Sequence, residues 1–552
     1  MMAIALAIGA LSLLYPSTPS YDPWSWLVWG REILHGTLHT QGGPTWKPLP
    51  IIFATVFAIF GSAQPNLWLV VARAGAVLAT LMTFKLAARL TWWLRGELVE
   101  RALDASRGAV GTIEEWAPAA LAGLVAAAGL AFSGGLLSDS ALGYSEALAT
   151  AALLIGVERH LDGHHRQAFA LGFVAALARP EIWLFWGPYG LWLMWKDPES
   201  RTFVIGLAIL CLILWFVPQK WGGGSWLSGF QRAQHPRKNS PAFAACPFCT
   251  ELSDHAWRLV LLRVKVAAIL VLGFAAVILG RAIRSRRSLR LEGARERALA
   301  ALAVSGAFGY GWWILIALET QAGFSGNDRY LVIGSGFIDI CGGAGFGWAA
   351  FELARFVRRR LAGRGASRAA GGLAFPAASG RTGPAALAGA ALFALIFVFL
   401  PNWVGGNTID LSRTHRSLNY QATLRSNLVS LIDQAGGIKK LEACGAGHVM
   451  SEGFQVPMVS WYFSARISDI EAQPATDANG VSEPYDYPWP NVIFQDRDTR
   501  HAELLPEWAT IHAWERQGAH YIVRDAKEIR FFEDCSPQPH DRVPDLPTKF
   551  SI

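Results

Sequence analysis

Residues 19–50 read PSYDPWSWLVWGREILHGTLHTQGGPTWKPLP. An apolar N-terminus precedes this stretch and a second apolar run follows it, and Asp22 is the first charged side chain of the chain. Between two membrane-like segments stand a carboxylate, a tryptophan triplet (Trp24, Trp26, Trp29), the pair Arg31 and Glu32, and a Lys47-Pro48 corner. Asp-Pro is a helix-start signal, because Asp can cap and Pro fits the first turn. Tryptophans suit the bilayer interface. The stretch therefore predicts a short helix lying flat on the membrane, with Asp22 at its tip and "GGPTWKPLP" as a rigid corner presenting Lys47.

The rest of the chain supports a membrane setting. Its 552 residues are 52% hydrophobic and 16% charged, against about 25% charged in soluble domains. Apolar runs recur along the chain, many near the ~20 residues that a bilayer requires. The net charge of +7 is modest, and the arginine clusters lie between apolar runs, which argues against nucleic acid and for cytoplasmic loops. No basic n-region or cleavage site marks a signal peptide, so 1–15 reads as a retained first helix. Ala, Gly and Arg richness suggests a bacterial source.

Spans are placed by apolar runs and oriented by Lys/Arg asymmetry. They fall near 66–93, 115–133, 141–157, 167–195 (a hairpin broken at 178–181), 202–218, 258–280, 298–318, 331–354 and 384–401. The segment 51–61 is too short to span comfortably and reads as interfacial or re-entrant. "RAIRSRRSLRLEGARER" and "RFVRRRLAGRGASR" both fall inside under one orientation, which puts the first loop, 16–48, outside. The expected fold is an α-helical polytopic membrane protein of about eleven spans in the plasma membrane. Residues 1–402 form the membrane domain, with 362–383 a flexible cytoplasmic linker. Residues 403–552 form a small extracytoplasmic α/β domain, with a helical pattern near 413–434 and strand-like runs "NVIFQ" and "HYIVR".

An outer-face carboxylate beside lysine and arginine suits one reaction class: transfer of a sugar from a polyprenyl phosphate. A carboxylate can act as general base on an acceptor hydroxyl, and cations can hold the departing lipid phosphate. The plainer reading is that Asp22 caps a surface helix and the tryptophans anchor it. "SGGLLSDSALGYSEALATAALL" (133–154) adds Asp139 and Glu146 near the same face, and intramembrane acids usually face a cavity. They read equally as a helix cap and a packed hydrogen bond. "SGNDRYLVIG" (325–334) puts Arg329 and Tyr330 at the outer start of a span, where an interfacial anchor is the alternative. In "ARPEIW", Arg179 and Glu181 are expected to pair with each other.

Asp22, "WKPLP" (46–50), "FG" (60–61) and Arg73 together resemble the GT-C membrane glycosyltransferases, most of all protein O-mannosyltransferases and lipid A aminoarabinose transferases. The likeness is strongest over about residues 1–200. Two features depart from it: Lys-Pro-Leu-Pro replaces a double-proline corner, and Asp-Pro replaces an acidic pair. The resemblance implies an inverting transferase with Asp22 as catalytic base and a lipid-phosphate sugar as donor. It implies Arg329 at the donor phosphate, and a second acid, Glu146 or Asp139, for acceptor orientation or metal binding. Lys47 joins Arg329 as a phosphate contact, with Arg31, Arg73 and Tyr330 as further candidates. The acceptor is a cell-envelope glycan, a lipid or a protein, and a divalent cation is left open as cofactor. A transporter or flippase, or a scaffold binding cell-wall polymer, are the competing readings.

Six cysteines divide by setting. Cys246 and Cys249 form a C-x-x-C that reads as a local disulfide or, with His235 and His255, a zinc site. Cys444 and Cys535 fall in the outer domain and are expected to bridge it. Cys211 and Cys341 lie in apolar runs and read as packing residues. The glycine-rich "ICGGAGFGW" (340–348) predicts close helix contact rather than a phosphate loop.

Overall fold

The computed structural model describes residues 1–94, 113–236, 240–284, 293–366, 384–400, 408–445, 447–473, 489–496 and 509–536. The membrane domain is built from helices, which satisfy their backbone groups internally as lipid requires. They are α1 (Met2–Leu11), α2 (Tyr21–Leu34), α3 (Pro48–Ala58), α4 (Gln64–Leu94), α5 (Ile113–Ala131), α6 (Leu136–Ala141), α7 (Glu146–Leu161), α8 (His165–Ala176), α9 (Trp183–Lys196), α10 (Arg201–Gly223), α11 (Ser228–Ala233), α12 (Leu262–Arg284), α13 (Ala294–Gln321), α14 (Val332–Ala366) and α15 (Pro384–Phe399). Among the described residues, 5 helical segments are long and apolar enough to cross a membrane: Gly61–Leu94, Pro198–Gly223, Leu262–Arg281, Ala294–Gln321 and Asp328–Val357. Shorter apolar helices, including Pro48–Ala58, fill the remainder.

α14 is the axis around which the others pack. Its glycines let neighbouring backbones approach. A Cβ on Gly342 would lie 2.5 Å from the Val264 carbonyl oxygen, and one on Gly343 would lie 2.4 Å from that of Ala122. Small residues at such crossings replace the hydrophobic drive that is missing between helices in lipid. α14 also runs on to Ala366, so the flexible linker expected from 362 does not begin there. The remainder of that linker, and the domain boundary at 402/403, lie outside the described residues. Residues 219–257, between two apolar helices, are partly helical. They carry α11, a one-turn helix at Pro247–Thr250 and a π-helical segment at Glu251–Ala256.

The C-terminal domain has α16 (Leu411–Gln434), α17 (Val456–Tyr462), α18 (Ala509–Gln517) and a five-stranded sheet of order β2-β1-β3-β5-β4. The strands are β1 (Val449–Ser451), β2 (Ile470–Ala472), β3 (Val492–Asp496), β4 (Ile522–Asp525) and β5 (Ile529–Glu533). β1 pairs in parallel with β2 and β3, and β5 is antiparallel to β3 and β4. Alternation along the strands separates two cores. Met450, Ile493 and Phe532 pack with Trp514 and Ile511 on one face, while Val449, Phe494 and Phe531 join the main core on the other. A Cys444–Cys535 disulfide links residues 91 apart in sequence, and closing so long a loop constrains the unfolded chain by about 4–5 kcal/mol. Cys246 and Cys249 are also joined. Asp496 ends β3 and is buried.

The C-terminal domain sits on α2. Trp24 meets Trp461 and Tyr462 at ring distances of 5.5 and 6.0 Å, and Tyr21 meets Phe454 at 5.6 Å. Trp26 packs on Trp68, and Trp29 on Trp46. All three tryptophans of α2 are therefore interior, at 2%, 1% and 0% exposure. The flat interfacial helix expected from sequence is replaced by a helix held between two layers of protein. Its aromatic density is core packing, because a second domain covers the face that bilayer headgroups would otherwise meet.

Glu32 lies in this interface, 5% exposed. Its Oε2 accepts the His39 N–H at 2.9 Å, while among the described residues Oε1 has no hydrogen-bond partner. Burial raises its pKa from 4.5 to about 7, against the opposing pull of the His39 amide, Arg31 and Arg466. A carboxyl held above its unfolded value favours the folded chain at low pH. That contribution is complete below about pH 4.5 and is lost as pH rises through 7. Glu32→Gln is thus expected to raise the thermal midpoint at pH 8, by an amount equivalent to about 2–3 kcal/mol, and to leave it unchanged near pH 4.5. Equal midpoints for the two chains at pH 8 would contradict this.

Candidate functional site

The site forms where four separate segments meet at the end of the helix bundle that carries α2. The first segment is the start of α2. Ser20 is the N-cap residue, and Asp22 falls inside the first turn. Its carboxylate is thus not spent on capping. Asp22 Oδ2 accepts from Arg329 Nη2 at 2.6 Å. The second segment is the Trp46-Lys47-Pro48 corner. Pro48 occupies the first position of α3, where its missing N–H costs nothing, and Lys47 precedes it in extended backbone. Lys47 Nζ donates to Glu146 Oε1 at 2.8 Å. The third segment is the start of α7, where Glu146 opens the helix after Ser145. The fourth is the short 3-10 turn Asp328–Leu331 that leads into α14 and carries Arg329 and Tyr330.

Backbone and indole bonds fix these segments to one another. Ser20 N–H donates to the Leu142 carbonyl at 2.9 Å, and Leu49 N–H donates to that of Leu177 at 3.0 Å. Trp68 Nε1 donates to the Gly143 carbonyl at 2.8 Å, where Gly143 has φ +87°. Trp312 and Trp313 of α13 donate to the carbonyls of Tyr330 and Leu331 at 2.8 and 3.0 Å. The polar side chains thus stand on a braced frame, which is what a preorganised site requires.

Two residues join the site that the sequence reading left outside it. Arg179 does pair with Glu181, Nε to Oε2 at 3.1 Å. Its guanidinium also lies 3.8 Å from the Tyr330 ring centre and 3.9 Å from Glu146 Oε1. Tyr144 lies under Arg329, ring centre to guanidinium 4.1 Å, with its hydroxyl 3.1 Å from Ser20 Oγ. The helix break at Ala178–Glu181 was a legible signal for Arg179. Nothing in the pattern around Tyr144 set it apart. Arg329 Nε stands 3.9 Å from Glu146 Oε1, so one carboxylate faces three cations: Lys47, Arg179 and Arg329. Lys47 further lies 5.6 Å from the Trp26 ring and 5.7 Å from the Tyr330 ring, and Tyr330 accepts at its hydroxyl from Asn327 Nδ2 at 3.0 Å.

Other candidates stand apart. Arg31 sits nine positions beyond Asp22, about 13 Å along the helix at 1.5 Å per residue. It donates to the carbonyls of Trp461, Ser460 and Ala465 at 2.8, 3.4 and 2.8 Å. It is a cap on the C-terminus of α17, where a cation complements the helix dipole. Arg73 is likewise committed to backbone, bonding the Ser12 carbonyl at 2.9 Å and that of Ala141 at 2.8 Å. Both arginines brace the frame, and neither meets the four-segment cluster directly. Asp139 lies in α6 beside the site. Burial first, and then Asp328, hold its carboxyl well above the usual range, with Arg329 opposing. Burial thus disfavours the charged carboxylate that a general base requires. Among the described residues, the close group of potential metal ligands is Cys444, Glu533 and Cys535, whose sulfurs are bonded to each other. Asp22, Glu146 and Asp139 form no such group.

No family model matches the chain, and no curated protein matches it in sequence. Among solved structures, the chain is similar to the crystal structure of ArnT from Cupriavidus metallidurans bound to undecaprenyl phosphate. The two align with a TM-score of 0.45 and 12% sequence identity, over 96% of this chain and 96% of that one.

Proposed function

We propose that this protein is a membrane glycosyltransferase that moves a sugar from a polyprenyl-phosphate donor to a hydroxyl acceptor at the extracytoplasmic face. The observation that carries the reading is the pairing of a carboxylate with an arginine, Asp22 and Arg329, beside a lysine–glutamate pair, Lys47 and Glu146. All four are drawn from distant parts of the chain to one end of the membrane helices. The acceptor hydroxyl gives its proton to Asp22 as its oxygen bonds to the anomeric carbon. The bond from that carbon to the phosphate oxygen breaks, and the electron pair leaves with the polyprenyl phosphate. Direct displacement of this kind inverts the anomeric centre. Lys47 and Arg329 stabilise the leaving phosphate by charge-assisted hydrogen bonds, with Arg179 and Tyr330 completing the cationic wall. Before the donor enters, Asp22 and Glu146 neutralise these cations and so offset the cost of burying them. Arg329 then links the two halves of the chemistry, passing from the base to the phosphate.

Transport is the second reading, and one observation favours it. Asp339 is fully buried within the Asp328–Val357 span, and neither carboxylate oxygen is hydrogen-bonded. A single buried acid opposed by the buried Lys265 is weaker support than a cluster of six charged groups at one rim. Lys47→Met tests the first reading. Glu146 would still face Arg179 and Arg329, so the fold should hold. The affinity for undecaprenyl phosphate in nanodiscs should fall ten- to a hundredfold, as expected for a charged hydrogen bond of about 1.5–3 kcal/mol. Unchanged affinity would remove Lys47 from the donor site.

A further inference from the structure

Lys47 owes its position to the loop before it, residues 38–46, and that loop is held by an arginine from a distant element. Arg232 lies on α11. Its Nη1 donates to the carbonyls of Gly42, Gly43 and Pro44 at 3.3, 3.2 and 2.8 Å. Its Nη2 donates to those of Thr40 and Gln41, the latter at 3.1 Å. One guanidinium thus gathers the carbonyls of five consecutive residues, and among the described residues it has no carboxylate partner. Such a fork matches arginine and not lysine, whose ammonium is a single point of charge.

The same hairpin of helices holds the loop at both ends. Thr40 N–H donates to the Gly222 carbonyl at 2.9 Å, and Trp46 Nε1 donates to that of Leu214 at 3.1 Å. Gln219 Oε1 accepts the Gly229 N–H at 2.6 Å, tying α11 back onto α10. From the opposite side the C-terminal domain closes on the loop. A Cβ on Gly42 would lie 2.9 Å from Ile467 Cγ2, and Gly43 adopts φ +86°, so the chain can take this path only with glycine there. The outward side of the hairpin is apolar: Val217, Trp221, Leu227 and Phe230 are all exposed, as befits a lipid-facing surface.

We propose that Arg232 is a positioning residue for Lys47. By gathering the carbonyls of Thr40–Pro44 it sets where the Trp46-Lys47-Pro48 corner stands relative to Glu146 and Arg329. The functional consequence rests on the phosphate-binding reading above, but the positional link does not. Arg232→Ala and Arg232→Lys, in full-length protein in nanodiscs, test both. The first readout is acetylation of Lys47 by an amine-reactive reagent, followed by mass spectrometry, with the half-exposed Lys85 as internal control. The second is affinity for undecaprenyl phosphate.

In Arg232→Ala, Lys47 is expected to react at least threefold faster at an unchanged Lys85 rate, and affinity to fall about tenfold. Methylguanidine should restore part of both, whereas Arg232→Lys should not, because structural loosening alone would not respond to a small guanidinium. An Arg232→Ala chain with native Lys47 reactivity overturns the proposal, as does one whose Lys47 and Lys85 rates rise together without guanidinium rescue. If the native chain binds no undecaprenyl phosphate while Lys47 still becomes reactive in Arg232→Ala, the donor reading falls and the positional link stands.

Discussion

Replacement of Asp22 by Asn should lower the turnover of a polyprenyl-phosphate sugar by 10²- to 10⁴-fold, the usual contribution of a positioned general base. The amide keeps the shape of the carboxylate and an oxygen for Arg329, now 2.6 Å away, so donor affinity should change little. The loss should appear in kcat and not in the binding of the lipid phosphate. Fold and expression should survive, because Ser20 rather than Asp22 begins the helix. Steady-state kinetics beside a donor-binding isotherm separate the two effects. An Asp22→Asn chain that turns over at the native rate would leave the cluster without its base. Asp139 is a poorer substitute, since burial disfavours its charged form.

The second large effect is on stability. Glu146 is 2% exposed and faces Lys47 at 2.8 Å, with Arg179 and Arg329 both at 3.9 Å. Removing it leaves three cations crowded together with less carboxylate charge to oppose them: Asp22 on Arg329, and Glu181 and Glu319 on Arg179. Breaking a buried pair from one side typically costs 3–5 kcal/mol, because the remaining charge is uncompensated. Glu146→Ala should therefore destabilise by about that amount in thermal unfolding. The double replacement Lys47→Met with Glu146→Leu should recover most of it, since it removes a charge of each sign. A Glu146→Ala midpoint within measurement error of the native chain would mean that water, not Glu146, neutralises these cations.

These two expectations draw on different information. Asp22 was legible in the sequence as a candidate, because a first charge placed just after an apolar helix stands out against its surroundings. Glu146 stood out for the same reason, as an acid at the head of an apolar run. Their partners were legible only as types. Lys47 and Arg329 ranked first as phosphate contacts with Arg31 and Arg73 behind them, and the fold separates the two pairs. Lys47 and Arg329 turn inward to carboxylates, whereas Arg31 and Arg73 spend their donors on backbone carbonyls. Arg179 was read as a local partner of Glu181, a correct but incomplete account, because its second face meets Tyr330 and Glu146. The α2 tryptophans were read as membrane anchors, since composition records that a residue is aromatic and not what lies over it.

By itself, the sequence determined the helical membrane architecture, the α/β character of the C-terminal region, and the residue types available at one end of the bundle. Hydropathy, strand patterning and charge asymmetry are local properties, and local properties survive in a linear string. The tertiary structure alone decided which arginines are catalytic candidates and which are braces, that the C-terminal domain covers α2, and that Arg232 grips the loop of Lys47. Each of those depends on contacts between residues tens to hundreds of positions apart, fixed by packing around α14 and by the burial of α2 beneath the C-terminal domain.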